Sequence, residues 1–308
     1  MTGNIATRLL TSLFVIIGSS MLVFFIMYIL PGDPVLQMLD GNATTPEAIA
    51  QLRHELGLDR PFYQQFVTYF SHLLQGDFGQ SRINKDPVLP KILEHVPATL
   101  MLTLVSTLFS VIIGILLGVL SAIHRNGIID FIARFVGLFG ISMPAFWTGI
   151  LLLLAFSIQL GWFPAMGSDG WKTLILPGIA LGLVGAGFIV RLVRNTMLEM
   201  LGEPFILTLR AKGLTERSVM YRHALRNSLI PALTMVGITI GELLSGTVVI
   251  ETVFSRQGIG RVLADAILAK DMPVVQGVVF FTAIIYVGVN LLVDLSYLFV
   301  DPRLRRPQ

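Results

Sequence analysis

Residues 201–231, LGEPFILTLRAKGLTERSVMYRHALRNSLIP, form a charged stretch between two apolar runs of membrane length. The stretch carries Arg210, Lys212, Arg217, Arg222 and Arg226 against only Glu203 and Glu216. Such a segment either docks on a partner or rests on lipid headgroups, and its internal pattern favours docking. Residues 202–212 read as a helix, Gly213 as a turn, and Thr215 as the cap of a second helix running through His223 to Asn227. Two short helices about a glycine make a compact knob, with Arg210 and Lys212 flanking the turn and placed to pair with acidic groups of a partner. A loop resting on anionic lipid, at about 1 kcal/mol per basic residue, has no need of the turn.

The rest of the chain sets the knob in a membrane. Hydrophobic residues make up 54% and charged residues 13% of the 308 positions, whereas soluble domains carry near a quarter of charged residues. The expected fold class is therefore an all-α membrane protein with six spans. The spacing of apolar runs places them at 9–30, 97–123, 135–160, 174–195, 229–250 and 272–298. The first run reads as a retained helix, because it is longer than a leader's apolar core and lacks a small-residue cleavage site before the turn Pro31-Gly32-Asp33-Pro34. Residues 35–95 differ: polar, mixed in charge, with amphipathic runs at 46–56 and 61–74 broken by Gly76-Asp77-Phe78-Gly79. They read as an ordered insertion outside the membrane.

Several classes drop out. The chain has no cysteine, so disulfide frameworks and thiolate metal sites are excluded. It has no Lys/Arg-rich tract, which argues against nucleic acid as a partner. His54-Glu55 opens like a zinc-protease motif, but position 58 is Leu where the second histidine belongs. Gly182, Gly185 and Gly187 lie inside a span and read as close helix packing, as do Gly114 and Gly118. With no P-loop, no Ser/His/Asp set and no metal or cofactor motif, the chain reads as a non-catalytic subunit. Two positions within spans stand apart. Pro144 removes a backbone hydrogen bond and bends its helix, and Glu242 is an ionisable group deep in the fifth span, so both are candidates for a pathway or hinge.

Six spans put both termini on one side. That side, with the 124–134 and 191–228 loops, holds 13 Lys/Arg and 5 Asp/Glu, against 9 and 12 on the other. The positive-inside rule makes the basic side cytoplasmic, and the 35–95 insertion then faces outward.

The knob resembles the signature loop of ATP-binding-cassette importer permeases, in the dipeptide, oligopeptide, glutathione and nickel branch. The match rests on Glu203, Ile206, Thr208, Arg210, Ala211, Lys212, Gly213 and Leu214, then His223, Ala224, Leu225, Arg226, Asn227 and Pro231. Pro31-Gly32-Asp33-Pro34, Gly76-Asp77-Phe78-Gly79, Ser142-Met143-Pro144 and Asp301-Pro302-Arg303 extend it over the whole chain. The departures are Pro204, Phe205 and Leu209, where the pattern has Asp, Tyr and Ala, and Ser255-Arg256-Gln257-Gly258, where many members have S-W-P-G.

The resemblance implies a type I importer permease in the bacterial inner membrane. Residues 201–228 would be the coupling loop, with 209–214 seated in a groove of an ATPase subunit. Expected partners are a second homologous permease, two ATPase subunits that bind ATP and Mg, an extracytoplasmic substrate-binding protein met by the 35–95 insertion, and membrane lipid. The chain itself would hold no cofactor. The rival readings are a secondary transporter using Glu242 as its ion site, which lacks the expected inverted repeat, and an intramembrane enzyme, which lacks paired groups within the spans.

Overall fold

The computed structural model describes residues 2–29, 35, 45–55 and 57–300. The turn at Pro31-Gly32-Asp33-Pro34 and the Asp301-Pro302-Arg303 tail lie outside the described residues. Every regular element among the described residues is helical: α1 (Thr2–Ile29), α2 (Pro46–Glu55), α3 (Phe62–Leu74), α4 (Val88–Ile123), α5 (Ile128–Ser142), α6 (Ala145–Leu152), α7 (Lys172–Leu201), α8 (Pro204–Ala211), α9 (Leu225–Val253), α10 (Ile259–Leu268) and α11 (Met272–Val300). Two π-helical stretches extend them: Leu153–Gln159 continues α6, and Ser218–Ala224 leads into α9. Val88–Ile123, Lys172–Leu201, Ser218–Val253 and Met272–Val293 are long and apolar enough to cross a membrane, and α1 adds the apolar stretch Leu10–Ile26.

The chain divides into two compact units. One comprises Met1–Val96 with Val262–Val287, the other Pro97–Arg261 with Gly288–Gln308. In the first, aromatic side chains fasten the insertion to the apolar helices. Phe24 of α1 meets Phe62, Phe66 and Tyr69 of α3 at ring separations of 5.4, 5.6 and 5.3 Å, and Phe78 meets Phe280 of α11 at 5.8 Å. The sequence GDFG ends α3: Gly76 turns the chain at φ +81°, and Asp77 accepts a hydrogen bond from the Gly79 N–H at 2.9 Å. Beyond it, the Asp271 carboxylate accepts bonds from the Ser81 hydroxyl and, at 3.0 Å, the Arg82 N–H.

The second unit is built around α7, with 67% of its apolar window buried. Lipid tails give no hydrophobic drive between helices, so small residues that let backbones approach must hold the bundle. A Cβ added at Gly140 would sit 2.2 Å from the Leu183 carbonyl oxygen, and one at Gly187 would sit 2.4 Å from that of Gly137. At Gly114 and Gly118 it would meet Ile189 and Val193 at 2.6 and 2.8 Å. The obstacles at 140 and 187 are backbone atoms, so the helices themselves would have to part. Gly140→Ala is therefore expected to lower stability by about 1–3 kcal/mol, seen as a lower melting temperature of the purified protein in detergent.

The segment expected as one span over 135–160 is two helices. α5 begins earlier, at Ile128, and ends at Ser142, and Ala145–Gln159 leaves it at 113°. Met143, forced toward extended backbone by the following Pro144, adopts φ −94° and ψ 133°, and Pro144 then starts α6 afresh. The two ends of this unit show that the pair still crosses once. At one end, Asp130 near the start of α5 meets Ser121 of α4 and Arg194 of α7. At the other, Phe156 and Phe163 beyond α6 pack on the cluster of Leu102, Leu176 and Phe254. A re-entrant loop would have returned to the first end. Two further expectations shift: α4 starts at Val88 with Pro97 inside it, and α7 runs on to Leu201.

Candidate functional site

The charged loop folds as a knob with its own apolar centre. Pro204 opens α8 after an extended Glu203, a position where its missing N–H costs nothing. Helical spacing turns Ile206 inward and Leu209 partly inward. Ile206, Val219 and Ala224 are fully buried, packed with Met200, Leu201, Leu209 and Leu214. α8 stops at Lys212, and Gly213 reverses the chain at φ +81°, the left-handed region where side chains are strained. Leu214 then donates its N–H to the Leu209 carbonyl at 3.3 Å, and Thr215 Oγ1 caps the returning helix by accepting from the Ser218 N–H at 3.4 Å.

Arg210 has a partner within the knob. Its guanidinium grips Glu216 across the turn, Nε to Oε1 at 2.7 Å and a second N–H to Oε2 at 3.1 Å. The hydrogen bonds hold the Glu216 carboxyl below the usual carboxylate range and the Arg210 guanidinium above its own. A depressed carboxylate contributes above its ordinary pKa and loses that contribution only as pH falls through the lowered value, so the clamp is present at neutral pH and weakens only in acid. Within this chain the nearest acid, six residues on, is the partner of Arg210.

The remaining cations face outward. Lys212, Arg217, Arg222 and Arg226 are exposed, as are Glu203, Thr208, Ala211, Gly213 and Asn227. Thr208 donates to the Pro204 carbonyl at 3.3 Å and Asn227 to the His223 carbonyl at 3.1 Å. His223 is half-buried. Between the charges stand two apolar side chains that a reading of charge alone passes over, Phe205 and Leu207, the latter 71% exposed. Their signal was in the spacing: once Ile206 and Leu209 are assigned inward, a leucine at 207 has no core to enter.

The second helix of the knob does not end near Asn227. Residues Ser218–Val253 are one continuous helix of 36 residues, so the limb that carries Glu216 and Arg217 is the first turn of the fifth span rather than a separate piece ending before 229. Thr196 Oγ1 of α7 donates to the Ser228 carbonyl at 3.3 Å, tying this limb to the buried helix. Displacement of the knob is therefore displacement of α9. Along α9, Glu242 is exposed on the surface of the chain. Pro144, the other candidate, is exposed at the break between α5 and α6.

Two buried ion sites brace the ends of this machinery, and neither was singled out from sequence. Near the knob, Asp130 is fully buried and accepts from Ser121 Oγ at 2.5 Å, the Asn126 N–H at 2.9 Å, and Arg194 bidentately at 2.8 and 3.0 Å. At the far end of α9, the buried Glu251 accepts from Thr99 Oγ1 at 2.6 Å and from the N–H groups of Gly260 and Arg261 at 2.8 and 3.2 Å. Thr99 in turn accepts from the Ile259 N–H at 2.9 Å. These N–H groups are the unpaired donors of the first turn of α10, so Thr99 and Glu251 cap that helix from two other elements. The glycines follow from this: a Cβ at Gly258 would lie 2.2 Å from the Glu251 carboxyl, and one at Gly260 would lie 2.4 Å from Val248 Cα. Arg256, buried beside them, donates to the Thr173 carbonyl and hydroxyl at 3.1 and 3.0 Å, which ties the start of α7 to the same loop.

Comparison with known proteins agrees over nearly the whole chain. Residues 114–306 match the family model described as binding-protein-dependent transport system inner membrane component, and residues 1–103 match its N-terminal companion. The glutathione transport system permease protein GsiC of Salmonella choleraesuis (strain SC-B67) is 38% identical over 305 residues, covering 99% of both chains. The dipeptide transport system permease protein DppB of Alkalihalophilus pseudofirmus is 39% identical, covering 97% of this chain and 98% of its own. Among solved structures, an inward-facing MetNI methionine ABC transporter superposes with a TM-score of 0.59 at 22% identity, over 70% of this chain and 98% of the other.

Proposed function

This chain belongs to the family of binding-protein-dependent transport system inner membrane components, and we propose that its knob is the element through which ATPase subunits drive transport. It is a multi-pass membrane protein, the permease subunit of an ATP-driven importer whose ATPase and substrate-binding partners are separate chains. The reading rests most on one observation, the continuity of the Gly213 knob with α9 as a single helix from Ser218 to Val253.

In this reading a second, homologous permease completes the pathway, and two ATPase subunits carry ATP and Mg. The knob lies on the cytoplasmic side together with both termini, as the excess of 13 Lys/Arg over 5 Asp/Glu there supports. Phe205 and Leu207 enter an apolar groove of an ATPase, and Lys212, Arg217, Arg222 and Arg226 pair with acidic groups around it. When the ATPases close, the knob moves as a unit because the Arg210–Glu216 clamp and its apolar core keep it from deforming. α9 follows, and the bundle passes between two packings stabilised by different partner states. The break at Met143–Pro144 offers a hinge, and Glu242 faces the pathway or the second permease, since an ionisable group against lipid is costly. The substrate is a small peptide or related solute delivered by the binding protein, in line with the glutathione and dipeptide systems of the relatives.

The test is the mass of the intact complex, purified in mild detergent after expression with its neighbouring genes. Two ATPase chains and a second permease are expected. A lone chain or a homo-oligomer under conditions that preserve such complexes would overturn the reading.

A further inference from the structure

The insertion holds a helix that does not look built for water. α3 has 13 residues, FYQQFVTYFSHLL, without one Asp, Glu, Lys or Arg. Its side chains fall into three sectors. Phe62, Phe66 and Tyr69 meet the aromatic rings of α1, and Leu73 is buried. At 100° per residue, Tyr63, Val67 and Leu74 share an adjacent arc of about 40°, and they are 65, 64 and 69% exposed. Gln64, Thr68 and His72 make the third sector, polar and exposed.

We propose that α3 is an interfacial helix, with Tyr63, Val67 and Leu74 immersed in the lipid at the membrane boundary and Gln64, Thr68 and His72 turned to water. Continuity with α1 identifies the occupant. Phe62 meets Phe24 in a tilted contact and Phe25 and Tyr28 edge-on, at the end of an apolar helix whose Leu22, Phe25, Ile26 and Ile29 are themselves exposed. The apolar arc of α3 extends that exposed apolar surface sideways. Phe70, next to the arc, is taken up by Phe280 of α11 at 6.1 Å, so one edge of the arc adjoins the apolar helices and the other opens onto the polar sector. An aromatic side chain such as Tyr63 suits the boundary, where its ring lies in the acyl region and its hydroxyl reaches the headgroups. A helix lying in that plane sinks its apolar face by about 5–10 Å.

The chain contains no cysteine, which makes the test direct. Single variants Tyr63→Cys, Val67→Cys, Leu74→Cys, Gln64→Cys and Thr68→Cys, each in the assembled complex in lipid nanodiscs, would carry a nitroxide label. Collision with oxygen, which concentrates in lipid, is compared with collision with a water-soluble nickel chelate. The oxygen-to-nickel ratio is expected to be about tenfold higher at 63, 67 and 74 than at 64 and 68, for a face sunk by 5–10 Å. Equal ratios at 64 and 67 would overturn the proposal in favour of a water-facing helix. Exclusion of both reagents at 63, 67 and 74 would overturn it in favour of a protein partner.

Discussion

Asp130→Ala lowers the stability of the protein by about 3–5 kcal/mol, the range for removing one member of a buried ion pair. The size follows from what is left behind. Arg194, only 16% exposed at its side chain, loses both hydrogen bonds to the carboxylate, and Ser121 Oγ and the Asn126 N–H lose their acceptor. Arg134, at 3.4 Å from the same carboxylate and largely exposed, finds water instead and recovers little. Three elements part at once, the end of α4, the start of α5 and α7, where the knob is attached to the bundle. The melting temperature of the detergent-solubilised complex should fall by many degrees. Asp130→Asn, which keeps the shape and acceptor but loses the charge, should recover part of the loss. A variant as stable as the parent would mean that Arg194 finds another acceptor.

Glu251→Ala is expected to have the second largest effect, about 2–4 kcal/mol, because two backbone N–H groups lose their acceptor at about 1–3 kcal/mol for each that is fully buried. It strips the cap from α10: Gly260 and Arg261 lose the acceptor of their N–H groups, and Thr99 Oγ1 is left with its bond from Ile259 alone. The glycines at 258 and 260 exist for this carboxylate and for the close passage of Val248, so no neighbouring side chain is positioned to fill the space. Limited proteolysis should cut the 254–261 loop in the variant and spare it in the parent. Unchanged resistance would show that Arg256, through Thr173 and Gly167, holds the loop alone.

Both sites are reminders of where sequence reading reaches its limit. The helical class and the knob were legible because they are local: apolar runs, a glycine between helical stretches, and a cap at Thr215. The Asp130 and Glu251 sites join residues 64 and 152 positions apart, Asp130 to Arg194 and Thr99 to Glu251, and nothing in the local pattern pairs them. Gly258 and Gly260 read as a turn, though their cause is a carboxylate one helix end away. Pro144 announced a bend in a span, but its consequence is larger, a 113° break that makes two helices of one. Arg210 has a contact that the local pattern left unread. A cation beside a docking turn suggests an outward partner, yet Glu216 was already within reach across Gly213. Where many family members have tryptophan, Arg256 is buried and does its bracing by hydrogen bonds to Thr173.

The central claim is that the knob passes the motion of the ATPases to the bundle through α9. It is tested most directly by measuring uptake and ATP hydrolysis together in the reconstituted complex, comparing the parent with Gly213→Pro. Proline fixes φ near −65°, whereas position 213 needs +81°, so the turn must rebuild while residues outside it are untouched. The account predicts an assembled complex that still hydrolyses ATP but takes up substrate at least about tenfold more slowly, equivalent to a shift of about 1.4 kcal/mol between the two packings. The double exchange Arg210→Glu with Glu216→Arg, which restores the clamp with its charges reversed, should retain more uptake than Arg210→Glu alone. Normal uptake per ATP hydrolysed by a fully assembled Gly213→Pro complex would contradict the account.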